Sequence, residues 1–200
     1  ASVPNGHYDI CALTASGLSS VRSFMVGRLP EQSEAASNDS LDVVESVSVN
    51  SVTNGRIEKA GDVDHFAFEG KRGQRVIVEC LAERIDSQLR AVLELFDAAG
   101  RRQAVNRGFF GIDPLIVFDV PADGIYKVRV FDLVYSGSAD HVYRLSVSTR
   151  PRVVFSVPSY IQAGSTAEVK LFGWNLGPNA ALPESRFETA TVDVAAPTVQ

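Results

Sequence analysis

Apolar and polar residues alternate along the middle of this chain. In residues 74–82, Val76, Val78 and Cys80 share one face. In residues 89–96 the shared face holds Leu89, Ala91, Leu93 and Leu95. Residues 125–131 set Tyr126, Val128 and Val130 against Lys127 and Arg129, and residues 142–147 align Tyr143, Leu145 and Val147. A period of two indicates strands, because successive side chains of a strand point to opposite faces. Turn signals separate these runs: Ala98-Ala99-Gly100 before residues 101–105, and Pro121-Ala122-Asp123-Gly124 after a strand over residues 114–120. No long stretch holds a 3.6 period, and the best helix candidate is residues 37–45. Short strands between turns predict an all-β fold, an antiparallel sandwich. Its core is organised around Gly61-Asp62-Val63-Asp64-His65-Phe66-Ala67-Phe68, where two acids on a glycine turn lead into a strand with Phe66 and Phe68 inward.

The same pattern divides the chain. Residues 1–28 read as about two strands, too few to bury a sheet face alone, and suit the tail of a preceding sandwich domain. Residues 29–53 read as a polar linker, or a loop wrapped on the next domain, followed by an edge strand, with Val43, Val47, Val49 and Val52 weakly alternating. Residues 54–149 carry the full sandwich. Residues 150–200 restart with Val153-Val154-Phe155 and a strand over 167–172, the opening strands of another sandwich domain. The expectation is a segment of a longer protein.

Composition narrows the class. With 45% hydrophobic and 22% charged residues, the chain has an ordinary globular make-up, and its net charge of −5 argues against a nucleic-acid partner. No run approaches the ~18 apolar residues of a membrane span, so no membrane insertion is expected. Two cysteines, Cys11 and Cys80, make no disulfide framework, and both are expected to be free thiols. His7, His65 and His141 lie far apart without metal-ligand spacing, and neither a G-x-S-x-G elbow nor an H-E-x-x-H helix occurs. Gly70-Lys71-Arg72-Gly73 lacks P-loop spacing and reads as a hairpin turn. The expectation is no enzyme.

Two features carry possible chemistry. Asp62 and Asp64 flank Val63 at the strand start. They either cap turn amides or contribute to a hard-cation site, which needs six to eight oxygens from several segments. Phe109 and Phe110, between Gly108 and Gly111, cannot both face one sheet core. They either pack the loop or offer a contact surface. With Tyr126 and Tyr135 they are the candidates for an aromatic ligand surface.

The order Asn54-Gly55-Arg56-Ile57, Gly61-Asp62-x-Asp64-x-Phe66-x-Phe68, Gly73-Gln74-x-Val76, Leu93-x-Leu95-x-Asp97-x-x-Gly100, Pro121-Ala122-Asp123-Gly124-x-Tyr126-x-Val128 and Tyr143-Arg144-Leu145 resembles the bacterial pre-peptidase C-terminal domain over about residues 29–149. The flanks resemble immunoglobulin-like modules of the TIG type. The resemblance implies a jelly-roll-like β-sandwich appended to secreted or surface proteins, often proteases, and similar to the collagen-binding domains of collagenases. It also implies calcium. In those domains an acidic segment before the sandwich folds back onto the Gly-Asp-x-Asp turn. Here Glu34, Asn38 and Asp39 match that segment, Ala36 replaces its second glutamate, and Asp62 and Asp64 complete the set.

The expected role is a non-catalytic spacer or adhesion module of a large exported multidomain protein, located extracellularly, on the cell surface or in the periplasm. The alternative is a module binding an extracellular polysaccharide or fibrous protein. The expected partners otherwise are neighbouring domains of the same chain.

Overall fold

The structure is a computed structural model describing residues 3–35, 38–109, 111–177 and 187–198. Its strands form two compact units, Ala1–Ser148 and Thr149–Gln200. The first unit opens with β1 (Gly6–Ile10), β2 (Leu13–Thr14), β3 (Gly17–Leu18) and β4 (Arg22–Val26). β1 pairs antiparallel with β4, and β2 with β3.

The sandwich follows: β5 (Glu31–Ser33), β6 (Glu45–Ser46), β7 (Ser51–Arg56), β8 (Val63–Gly70), β9 (Arg75–Leu81), β10 (Ala91–Phe96), β11 (Arg102–Asn106), β12 (Leu115–Asp119), β13 (Gly124–Asp132) and β14 (Val142–Ser148). They build two five-stranded sheets, ordered β11-β10-β13-β8-β6 and β12-β9-β14-β7-β5. In the second unit, β15 (Arg152–Val157), β16 (Thr166–Trp174) and β17 (Glu188–Ala195) form an antiparallel sheet. The fold is all-β, and among the described residues no helix is long and apolar enough to cross a membrane.

The period-two pattern sets the register. Phe66 and Phe68 of β8 lie opposite Val128 and Tyr126 of β13, and Leu93 and Leu95 of β10 continue that layer. Val76, Val78, Leu145 and Val147 face them from the other sheet, and these ten inward positions are all buried in one cluster. Cys80 is buried among them, Cys11 is exposed, and both thiols are free. Gly61, at φ +82°, makes the turn before β8 in a backbone conformation that suits glycine.

Two expectations differ from the structure. The described residues of the 37–45 stretch form no helix: Ser40 bridges to Val43, and Glu45 already belongs to β6. The run over residues 43–52 is likewise no single edge strand. Instead β5 pairs parallel with β7, and β6 pairs parallel with β8. The described residues of 31–46 thus form a strap from the edge of one sheet to the edge of the other. Further upstream, the hairpin falls in the same unit as the sandwich, where the Ser23 amide donates to Asp86 Oδ2 at 2.6 Å.

Candidate metal centre

The strap crosses one end of the sandwich between two backbone anchors. The Glu34 amide donates to the Asn54 carbonyl at 2.8 Å, and the His65 amide to the Asn38 carbonyl at 3.0 Å. His65 Nδ1 lies 2.9 Å from that same carbonyl, and burial holds the His65 pKa below its usual value. These anchors bring Glu34, Asn38 and Asp39 over the Gly61 turn.

Asp64 points inward because it shares parity with Phe66 and Phe68 on β8. Asp62 caps the turn: its Oδ2 accepts the Glu58 amide at 2.6 Å and its Oδ1 the Val63 amide at 3.2 Å. A carboxylate has about four lone-pair sites, so this capping leaves room for a further partner. One carboxylate oxygen each from Asp39, Asp62 and Asp64 lies within 4.8 Å of the others. Glu34 and Asn38 line the same cavity of about 320 Å³, with Arg56 and Lys59 also on its wall. Their side chains already hold protein partners. Asn38 Nδ2 donates to Glu34 Oε1 at 2.9 Å, and Glu34 Oε2 accepts the Arg56 amide at 3.0 Å. Of the five expected ligands, three therefore converge directly and two brace each other beside them.

Tyr143 completes the centre. Its hydroxyl donates to Asp64 Oδ2 at 2.6 Å and lies 3.2 Å from Glu34 Oε1. Burial, with the Asp64 and Glu34 charges, raises the tyrosine pKa well above its usual value, so the group stays a donor. Gly55 sits opposite Tyr143 in the β7–β14 register. A Cβ there would overlap the Tyr143 hydroxyl and the Glu34 carboxylate. Burial pushes the Asp64 carboxyl up to about 8; the Tyr143 hydrogen bond opposes this, and the Glu34 charge reinforces it. Neither Tyr143 nor Gly55 was singled out as a site residue from sequence. The available signal was a tyrosine among aliphatic inward positions, since a buried phenol needs a polar partner.

The donor set fits calcium. It is all oxygen, drawn from the strap and the turn, and it gathers negative charge that burial penalises. An ion beside Asp64 would favour its ionised form.

The aromatic candidates do not form a strip. Tyr126, expected on a ligand surface, is a correction: its place in the alternation of β13 turns it inward, leaving it 4% exposed. Its ring stacks on Phe68 at 5.9 Å, and its hydroxyl donates to the Ala122 carbonyl at 2.8 Å. Phe109 is half-buried and bridges to Ile112. Phe110 lies outside the described residues. Tyr135 is 47% exposed, with one ring face stacked on Phe131 at 5.1 Å.

Nor are the histidines poised for catalysis. His7 is exposed on the hairpin. His141 is buried between Ser136 Oγ at 3.1 Å and Ser138 Oγ at 2.8 Å. Ser136 Oγ spends its proton on Asp132 Oδ1 at 2.7 Å, which ties the β13–β14 loop together.

No protein-family model matches the chain. A probable subtilase-type serine protease of Deinococcus radiodurans is 40% identical over 73 residues, 36% of this chain and 10% of that protein. The chain thus matches about a tenth of that relative's length. Among solved structures, it is similar to the pre-peptidase C-terminal domain of collagenase from Bacillus anthracis. That likeness has 16% identity and a TM-score of 0.43, over 60% of this chain and 99% of that one. It is also similar to Aeromonas hydrophila PliG, a periplasmic lysozyme inhibitor of g-type lysozyme. There the identity is 20% and the TM-score 0.39, over 52% of this chain and 96% of that one.

Proposed function

We propose that this chain is a non-catalytic accessory module of an exported multidomain protein, with a sandwich braced at one end by calcium. The convergence of Asp39, Asp62 and Asp64 across the strap and the turn carries the calcium reading. A cation there would link residues 34–39 to the start of β8 and so fix the strap across the sandwich edge. The 40% match to a segment of a probable subtilase-type protease supports the accessory role. The spacer reading is favoured over polymer binding because Tyr126 is buried, leaving Tyr135 as the most exposed described ring of the expected strip.

The test is thermal unfolding in chelator and in millimolar calcium. A ligand bound only by the native state raises its melting temperature. The expected result is a calcium-dependent rise that is lost in the Asp62→Asn and Asp64→Asn variants. An unchanged midpoint at millimolar calcium would refute the calcium brace.

A further inference from the structure

Asp39 is the converging carboxylate that the strap carries, and two donors from the sandwich bracket it. Before it, the Asn38 carbonyl accepts the His65 amide. After it, residues 40–43 form a tight turn, in which the Val43 amide donates to the Ser40 carbonyl at 3.0 Å. Leu41 is the second residue of that turn. Its carbonyl takes no part in the turn's own hydrogen bond and needs a donor from elsewhere. Lys127 supplies it: the Nζ donates to the Leu41 carbonyl at 2.6 Å, from a partly buried position 86 residues away in sequence.

The path of that side chain follows from the sheet. Lys127 belongs to β13, where Tyr126 and Val128 face the core, so it leaves from the outer face. β8 lies between β13 and β6, and Ala67 of β8 stands opposite Lys127. The lysine stem therefore crosses β8 above Ala67 to reach the strap. Ala67 points away from the core and is nevertheless buried, and its small side chain leaves the path open. Lys127 is not among the residues lining the cavity, whose described cations are Arg56 and Lys59. It reaches the site only through the strap.

We infer that Lys127 is a positioning residue for calcium, an inference that rests on the calcium reading above. Its charge-assisted bond fixes the turn that follows Asp39, and so holds the Asp39 carboxylate within reach of Asp62 and Asp64. Charge and position make opposite demands on this residue. A cation near the site repels calcium, so its removal by charge alone would tighten binding. An anchor of the strap favours calcium, so its removal weakens binding.

Calorimetric calcium titration of the full chain, beside urea unfolding in chelator, tests this. Lys127→Met keeps the stem and removes the donor. It is expected to raise the calcium Kd about tenfold, the scale on which groups that orient a metal ligand act, with one ion still bound. Lys127→Arg still donates to a carbonyl and is expected to bind close to the parent. Asp39→Asn closes a double-mutant cycle: with the Asp39 carboxylate gone, adding Lys127→Met is expected to change the Kd little. Should Lys127→Met fail to fold in chelator, Lys127→Gln, whose shorter stem stops short of Leu41, reads the same loss. A parent chain that binds no calcium would refute the brace itself, and the role of Lys127 with it. Binding by the parent that Lys127→Met leaves unchanged or tightens would overturn the role of Lys127 alone, as would a further loss of the same size on top of Asp39→Asn.

Discussion

Two buried aspartates in adjacent strands of one sheet behave in opposite ways. Asp132 ends β13 and is 1% exposed; Asp64 lies in β8, opposite Val130, and is 3% exposed. Asp132 is surrounded by donors. Its Oδ2 accepts the Arg90 amide at 3.0 Å, and its Oδ1 accepts the Val134 amide at 3.0 Å, the Ser136 amide at 2.9 Å and the Ser136 hydroxyl at 2.7 Å. Burial favours its neutral form, but these bonds more than offset that and hold the pKa below the usual value. Asp64 has a short bond from Tyr143 and faces the Glu34 carboxylate, and its pKa rises to about 8. Burial alone therefore does not single out a carboxylate that calls for a ligand. The inventory of donors around it does.

Breaking the satisfied member of the pair should have the largest effect. Asp132→Ala would strand the Arg90, Val134 and Ser136 amides and cost about 3 kcal/mol. Urea unfolding should report the same loss in calcium and in chelator, because no cation is involved.

Gly55→Ala attacks the other member indirectly. The added Cβ would force Tyr143 and Glu34 from their positions, costing about 1–3 kcal/mol as an overpacked site. Unlike the Asp132 variant, it should also lose the calcium-dependent rise in melting temperature.

Titration sharpens the contrast, since the two signs are opposite. The lowered pKa of Asp132 gives stability above the unfolded carboxylate value of about 3.9, and that stability fades as pH falls. The raised pKa of Asp64 does the reverse. Its contribution is complete below the unfolded value and is lost as pH rises toward about 8. In chelator, Asp64→Asn should therefore gain on the parent protein between pH 5 and 8, as judged by unfolding midpoints across that range. A parallel pH dependence for both proteins would contradict the assignment.

The smallest effect is expected from Tyr143→Phe. The ring keeps its edge contact with Phe66, and the lost hydrogen bond should cost about 1 kcal/mol. The midpoint of a calcium titration should move to higher calcium without the response disappearing.

Much of this fold was legible because a strand buried on one face writes its register into the sequence. Phe66, Phe68, Val128 and Leu95 alternate without exception, and each is buried. Tyr126 obeyed the same rule, and reading it as a surface residue set its chemistry above its position in the strand. The strap was less legible. β5 and β6 span only a few residues and pair parallel with strands distant in sequence, so neither alternation nor a turn marks them. The acidic set could be named from the resemblance. Its bracing could not: the Asn38–Glu34 bond and the Tyr143 hydroxyl arise from tertiary approach, which Gly55 permits by lacking a side chain.

The proposed calcium would complete Asp64, a buried carboxylate. Calorimetric titration of calcium at pH 7, repeated in buffers of different ionisation enthalpy, tests it most directly, because metal binding releases the protons that its ligands carry. The account predicts one bound calcium and release of close to one proton, with both signals lost in Asp64→Asn. Binding without proton release, or undiminished binding by Asp64→Asn, would contradict it.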